Sequence, residues 1–294
     1  MKLSRLLIIA CTAMLAACGE YYGYDADTAE SPYTPREGVH LVKSVKTTST
    51  YDGREYSWEH NFSYDAKNRI REIESSIVYH EPIASAGVTR IYQCNRTSRT
   101  VYYYLGDAVD VVYSVSLKYP GYKAWDINMG GTDEGIFNSK GLLEKLSALD
   151  FEYSGMSLSA AYSDGGRRYE LTRSRDNVTG FKIYDDYSGE VIVDKGGEYE
   201  FSYDKNKTNF DFSAYFGYWG VEEELVPNGA PLYAAYQLAA FGMLGTTSPY
   251  LPVGKPVTSE NGNIQYGKWN FDIQGRPVLY TDTQGRKTEV TYFD

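Results

Sequence analysis

A side chain pattern that changes polarity at every residue suits one backbone only, the half-buried extended strand, and this chain follows that pattern along most of its length. In 55–64, Tyr56, Trp58, His60, Phe62 and Tyr64 fall on one face, while Glu55, Ser57, Glu59, Asn61 and Ser63 fall on the other. In 109–119, Val109, Val111, Tyr113, Val115, Leu117 and Tyr119 oppose Asp110, Ser114, Ser116 and Lys118, with Val112 the exception. Weaker alternation covers 39–50, 69–79, 88–94, 99–105, 157–163, 167–174, 178–184, 198–203, 208–216, 264–272, 276–281 and 287–293.

The turns between these segments share a chemistry. Tyr64-Asp65-Ala66-Lys67-Asn68-Arg69, Phe271-Asp272-Ile273-Gln274-Gly275-Arg276 and Thr281-Asp282-Thr283-Gln284-Gly285-Arg286 each place Asp three residues before Asn or Gly. Asp opens a type I turn and the later residue takes the left-handed conformation, which is the recipe for a tight hairpin with a bulge. Consecutive strands are therefore antiparallel neighbours. The expected fold is all-β: a large antiparallel meander of roughly 12–16 strands, counted from the alternating segments, curled into a barrel or roll because so large a twisted sheet does not stay open.

Two stretches depart from alternation. Asn138 or Ser139 is placed to cap a short helix running to Asp150, with Leu142, Leu143, Leu146 and Leu149 on one side. Pro231 to Leu244 has proline at the first helical position and Gly245 just past the end. It is apolar nearly all round, so it is expected to be a buried helix that plugs or caps the sheet; at about 21 Å it is too short to cross a membrane.

The N-terminus carries an export signal: Lys2 and Arg5, then Leu6-Leu7-Ile8-Ile9-Ala10, then Leu15-Ala16-Ala17-Cys18-Gly19. The last five residues resemble the lipobox of bacterial lipoproteins, which implies cleavage before Cys18 and acylation of that cysteine, with residues 1–17 as the signal peptide. Gly19 to Glu37 has no apolar periodicity and reads as an acidic, disordered tether. Within it, Asp27-Thr28-Ala29 is similar to the tripeptide that Bacteroides-type bacteria O-glycosylate, which would modify Thr28. Residues 38–294 are read as one antiparallel β domain, since β barrels and sandwiches of about 200–250 residues occur undivided.

Loss of Lys2 and Arg5 leaves 27 of the 29 basic residues against 39 acidic ones, a net charge of -12. Such a surface repels phosphate backbones, so nucleic acid is not an expected partner. Cys11 leaves with the signal and Cys18 is taken by lipid, so Cys94 has no disulfide partner in the chain.

The lipobox, the tether, the Tyr-Asp-x-x-Asn/Gly-Arg hairpins, the late apolar helix running into Thr246-Thr247-Ser248-Pro249-Tyr250-Leu251-Pro252, and the final Trp269–Pro277 hairpin look like a family of Bacteroides-type lipoproteins. That family is a domain of unknown function with a porin-like fold, and the resemblance covers roughly 39–294. It implies the fold and supplies no functional residue.

The chemistry-bearing residues do not assemble into a catalytic signature. His40, His60 and His80 have no metal-ligand spacing, and His60 on an aromatic strand face reads as a packing residue. Asp126 to Glu134 imitates the opening of a calcium loop, but Phe137 stands where the bidentate Glu belongs, so a polar hairpin loop is the expectation. Glu222-Glu223-Glu224 and Asp185-Asp186 read as solvated acids. No catalytic residue, metal or cofactor is assigned. The 30 tyrosines are the most unusual feature of the composition, and the run Tyr102-Tyr103-Tyr104 is singled out as a source of ligand-facing rings.

The leading expectation is therefore a non-enzymatic, outer-membrane lipoprotein that binds or helps assemble cell-envelope components, glycans among them, with the cell surface favoured over the periplasmic face. The alternatives are a hydrolase with carboxylates converging inside the roll, and a membrane-spanning porin-like barrel.

Overall fold

The computed structural model describes residues 30–85, 88–121, 123–163, 166–185, 187–195, 200–216, 237–256 and 264–294. Among the described residues the chain forms 17 strands in one antiparallel sheet. The first six are long: β1 Val42–Tyr51, β2 Arg54–Tyr64, β3 Ile70–Ser85, β4 Val88–Leu105, β5 Ala108–Lys118 and β6 Ile127–Phe137. The next five are shorter: β7 Leu143–Leu146, β8 Leu149–Ser154, β9 Ser157–Ser163, β10 Arg167–Ser174 and β11 Asn177–Asp185. The ring is completed by β12 Val191–Lys195, β13 Glu200–Lys205, β14 Tyr250–Pro256, β15 Ile264–Phe271, β16 Pro277–Asp282 and β17 Lys287–Tyr292.

Each strand pairs with its sequence neighbour from β1 to β12 and from β13 to β17, and β17 pairs back with β1, Val42 lying opposite Tyr292. Among the described residues, β12 and β13 share no ladder. The alternation of directions makes them run the same way, β12 against β11 and β13 against β14, so the strands occupy 16 positions of a nearly closed up-and-down barrel.

A ring of this size is too wide for its own side chains to fill. The space at one end is taken by a plug made of two chain segments, 206–216 and 237–249. The first contains α1 (Phe212–Phe216) and the second a buried helical turn at 237–240. Phe210, Phe212 and Phe241 pack as one ring cluster against Phe62 of β2 and Trp269 of β15. The plug is also stitched to the wall: the Leu143 amide donates to the Met243 carbonyl at 3.0 Å, and the Val42 amide to Asn209 Oδ1 at 2.9 Å. Asp211 holds the two segments together, its carboxylate accepting from the Ser213 amide, the Ser213 hydroxyl (2.6 Å) and the Ser248 amide (2.6 Å). Burial pushes this carboxyl above its usual range even so.

Of the buried helix expected over 231–244, residues 237–240 are helical, 241–244 form a turn with Gly242 at a φ of 82°, and 231–236 lie outside the described residues. Three other expectations need correction. The helix from Asn138 to Asp150 is instead the hairpin of β7 and β8, closed by Ser147 at a φ of 51°. Its two-residue turn sets Leu146 directly opposite Leu149, and that spacing of three counterfeits a helical stripe. Asn138 does cap, but it caps a turn, its Oδ1 accepting from the Lys140 and Leu142 amides. The strand expected at 208–216 is plug, because the Asp211 carboxylate caps α1. Finally, the tether expected to run to Glu37 gives way to packed chain earlier. Tyr33 is buried between the rings of Tyr104 and Phe137, with its hydroxyl donating to the Phe241 carbonyl at 2.8 Å.

The Asp-x-x-Asn/Gly-Arg turns work as hairpins and also do something their turn chemistry did not foretell. In the first, Asp65 Oδ1 accepts from the Lys67 and Arg69 amides, and Oδ2 accepts from Arg69 Nε at 2.6 Å. Asn68 takes a φ of 60°. The Arg69 guanidinium lies 4.1 Å from the centre of the Tyr104 ring. The second copy repeats each feature: Asp272 to Arg276 Nε at 2.6 Å, Gly275 at a φ of 73°, and Arg276 over Tyr292 at 4.6 Å. The third, Asp282 with Arg286, is looser at 3.8 Å.

The first pair is sealed, with side chains 1% and 2% exposed, whereas the second is 16% and 19% exposed. Removing one partner from a buried pair leaves an uncompensated charge. Asp65→Asn is therefore expected to lower unfolding stability in urea by about 3–5 kcal/mol, and Asp272→Asn to cost clearly less. Equal losses would show that burial does not govern this motif.

Candidate functional site

Alternation assigns every wall residue to the lumen or the outside. On β2 the lumen set is Tyr56, Trp58, His60, Phe62 and Tyr64. His60 and Phe62 are buried beneath the plug, and Tyr56 and Trp58, farther along, are half-exposed. On β3 the set runs from buried Ile73, Ser75 and Ile77 to half-exposed Tyr79, Glu81 and Ile83. On β4 it runs from buried Tyr104, Tyr102, Thr100 and Ser98 through Arg96 and Cys94 to Tyr92. The lumen thus has a packed end at the plug and an aromatic, partly open end, called here the mouth.

Strand length shapes that mouth. β3 pairs with β2 only as far as Val78, and β4 pairs with β5 only from Asn95, so Tyr79↔Cys94 through Ser85↔Val88 form seven further pairs as a free ribbon. At ~3.3 Å per residue the ribbon runs about 23 Å past the last pairs it shares with its neighbours, with Tyr56 of β2 still meeting His80 edge-on. Trp125, in a single 3-10 turn (Lys123–Trp125), packs edge-on against Tyr92 and Tyr119, with centroids 5.4 and 5.9 Å away. The Tyr119 hydroxyl donates to Glu81 Oε1 at 2.5 Å, and Tyr56 stacks on Trp58 at 6.2 Å. The Tyr113 ring lies across Gly131, where a Cβ would come within 2.7 Å of the hydroxyl, so only glycine leaves that ring its place. Burial pushes the hydroxyls of Tyr79 and Tyr119 well above the usual tyrosine range, and the buried Cys94 thiol is pushed up too. These groups stay neutral, acting as hydrogen-bonding and stacking surfaces and not as nucleophiles.

Between mouth and plug sits His60. Its Nδ1 is 2.7 Å from Ser75 Oγ, and it lines a cavity of about 10 Å³ together with Phe62, Ile73, Phe210, Gln237 and Phe241. That volume is the size of one water molecule, so the lumen is filled at this level. Burial, assisted by the Arg96 charge, lowers the His60 pKa from 6.5 to about 4.

The structure redistributes the residues singled out in the sequence. Tyr102 and Tyr104 are core residues at 2% and 1% exposure, and so are not ligand-facing. The Tyr102 hydroxyl donates to Gln237 Oε1 and the Tyr104 hydroxyl to the Ile70 carbonyl. Tyr103 faces outward, opposite Asp110. The rings that do face the open lumen are Tyr56, Trp58, Tyr79, Tyr92, Tyr113, Tyr119 and Trp125. Their signal was alternation carried across neighbouring strands, which one strand at a time does not show. The stretch expected to be a polar loop at 126–134 is mostly strand β6, with Asp126 Oδ1 accepting from the Tyr119 amide at 3.1 Å. Asp185 shapes a turn, accepting from the Tyr187 and Ser188 amides, which lowers its pKa. Cys18, Thr28 and Glu222–Glu224 lie outside the described residues. Among the described residues no group of three or more His, Cys, Asp or Glu side chains is placed to hold a metal ion.

No family model and no curated protein matches this sequence. Among solved structures, the chain is similar to a porin-like protein from Bacteroides uniformis, at 11% identity over 90% of this chain and 100% of that one, with a TM-score of 0.44. A porin-like protein from Bacteroides vulgatus is similar at 11% identity over 86% and 99%, with a TM-score of 0.28.

His60 yields a pH signature. Between pH 6.5 and about 4 the unfolded chain takes up a proton that the folded chain refuses, so stability falls as pH falls through that window. The loss expected from this one residue is about 3 kcal/mol. His60→Gln should flatten the stability profile over that range relative to the parent chain, as read by urea unfolding at stepped pH. A profile that the substitution leaves unchanged would mean that His60 is not the titrating group.

Proposed function

We propose that this protein is a lipid-anchored outer-membrane protein whose barrel works in water, binding envelope glycans on the aromatic inner face of its mouth. The observation that carries this reading is the chemistry of the outer wall. Mid-strand on the outside, Lys46 of β1 pairs with Glu59 of β2 at 3.1 Å, and Arg99 of β4 grips Glu72 of β3 through Nε and Nη2 at 2.5 and 2.9 Å. The outer face continues with Lys145 and Asp150 across β7 and β8, and Arg168 and Glu170 on β10. Asp110 and Glu134 stand directly opposite each other on β5 and β6, and burial together with that like charge raises the Asp110 pKa.

A wall meant for lipid has the reverse polarity. Charged side chains there cost roughly 2–4 kcal/mol each near mid-bilayer, whereas in water such exposed pairs cost little and keep the barrel soluble. The membrane connection then falls to Cys18, whose acyl chains supply about 0.8 kcal/mol per buried CH₂. The acids Glu20, Asp25 and Asp27 that follow it favour display on the cell surface. Inside the mouth, flat rings beside a carboxylate and tyrosine hydroxyls offer what a sugar ring needs: a face to stack on and partners for its hydroxyls.

The chain beginning at Gly19, which lacks the acylated cysteine, should remain monodisperse in buffer without detergent; a requirement for detergent would sink the water-exposed wall. Titration with oligosaccharides released from the cell envelope should change tryptophan fluorescence, and Trp58→Ala should weaken the apparent affinity about tenfold, the equivalent of about 1.4 kcal/mol. Binding that ignores Trp58 would place the ligand elsewhere.

A further inference from the structure

We infer that the barrel stands on the membrane by its plugged end and holds the aromatic mouth away from the bilayer, an orientation that rests on the proposed acylation of Cys18. The first described residues dock at one place. The Gly106 amide donates to the Glu30 carbonyl at 3.0 Å, and Lys67 Nζ is 3.4 Å from Glu30 Oε1. The Pro32 backbone occupies the space where a Cβ on Gly141 would sit, with Gly141 at a φ of +74°. Tyr33 then enters the core against Tyr104, Phe137 and the Phe241 carbonyl. Lys67, Gly106 and Gly141 belong to the β2–β3, β4–β5 and β6–β7 turns, which share one end of the barrel with the plug. The mouth, with its ribbon and Trp125, is at the other end of the same strands.

Chain length decides what the anchor permits. Eleven residues, 19–29, separate Cys18 from Glu30. Twelve steps reach about 40 Å when fully stretched, and typically about 20 Å as a flexible coil. β4 has 18 residues, about 56 Å along the strand, or roughly 40 Å of height at an ordinary barrel tilt. To set the mouth against the bilayer, the link would have to run the whole height of the wall at full extension, giving up nearly all its conformational freedom. To set the plugged end there, it needs none of that.

The test uses the acylated full-length protein in vesicles carrying an energy-transfer acceptor on the lipid headgroups. A donor dye is placed on one engineered cysteine, either Lys140→Cys in the β6–β7 turn or Arg90→Cys on the ribbon. Both positions are exposed, and Cys94 is fully buried and stays unlabelled. Transfer from the Lys140→Cys donor is expected to exceed that from Arg90→Cys several-fold. Equal transfer, as from a barrel on its side, or stronger transfer from Arg90→Cys, overturns the orientation while leaving the anchor in place. Protein whose mass shows an unmodified Cys18, and which does not float with the vesicles, overturns the anchor reading itself and the orientation with it.

Discussion

A closed sheet of this many strands encloses more volume than the side chains of its own wall can occupy, and protein interiors do not tolerate large dry voids. Everything else in this molecule is arranged around that constraint. The solution is to return two stretches of chain to the lumen, carry in Phe210, Phe212 and Phe241, and satisfy the polar backbone that comes with them. The Asn206 side chain donates to the Phe210 carbonyl and accepts from Thr208, while Asp211 and Ser248 close the second loop of the knot. Because these groups are buried, each bond left unmade would be expensive. The plug is therefore held in one arrangement, and the lumen is divided into a solid half and an open half.

That division explains how one pattern of alternation produces two surfaces of different use. Rings that point inward near the plug become core; rings on the same strands farther along meet the open half. The outward positions mix charged and small polar residues, among them Lys46, Glu59, Glu72, Arg99, Asp110 and Glu134, with Val78, Val101, Tyr103, Val112 and Ile136. The wall thus has the outline of a barrel with ion pairs on its outer face, and a lumen filled to the size of a single water at His60.

The strand path was largely legible in the sequence because its determinants are local. Tyr56 to Tyr64 alternate without a break, and each Asp-x-x-Asn/Gly-Arg turn names its own hairpin. What was not legible depended on partners far away in the chain. Leu146 and Leu149 mimic a helical face only because a tight turn sets them opposite each other. Phe210 and Phe212 look like strand residues until Asp211 is seen to cap α1, which starts at Phe212. Tyr102 and Tyr104 share a face with Tyr92, yet two are core and one is not, and only the depth of the plug decides which. The Arg at the end of each hairpin motif was visible as a letter, but its ring partner, Tyr104 for Arg69 and Tyr292 for Arg276, lies 35 residues away in one case and 16 in the other.

The seam where β17 meets β1 sets the order in which such a barrel can come into being. Val42 and Tyr292 are 250 residues apart, yet they are ladder partners. Joining ends that distant costs roughly 5 kcal/mol of chain entropy and returns nothing until the last strand is present. Every other ladder except β13–β14, where Lys205 meets Tyr250 across the chain that supplies the plug, joins near neighbours and can form early. The nascent protein is thus a growing open sheet whose two edges wait for each other, and the final hairpin acts as a latch. For a chain that the proposed export signal would send through a membrane, the seam between β1 and β17 can close only after the whole length has crossed.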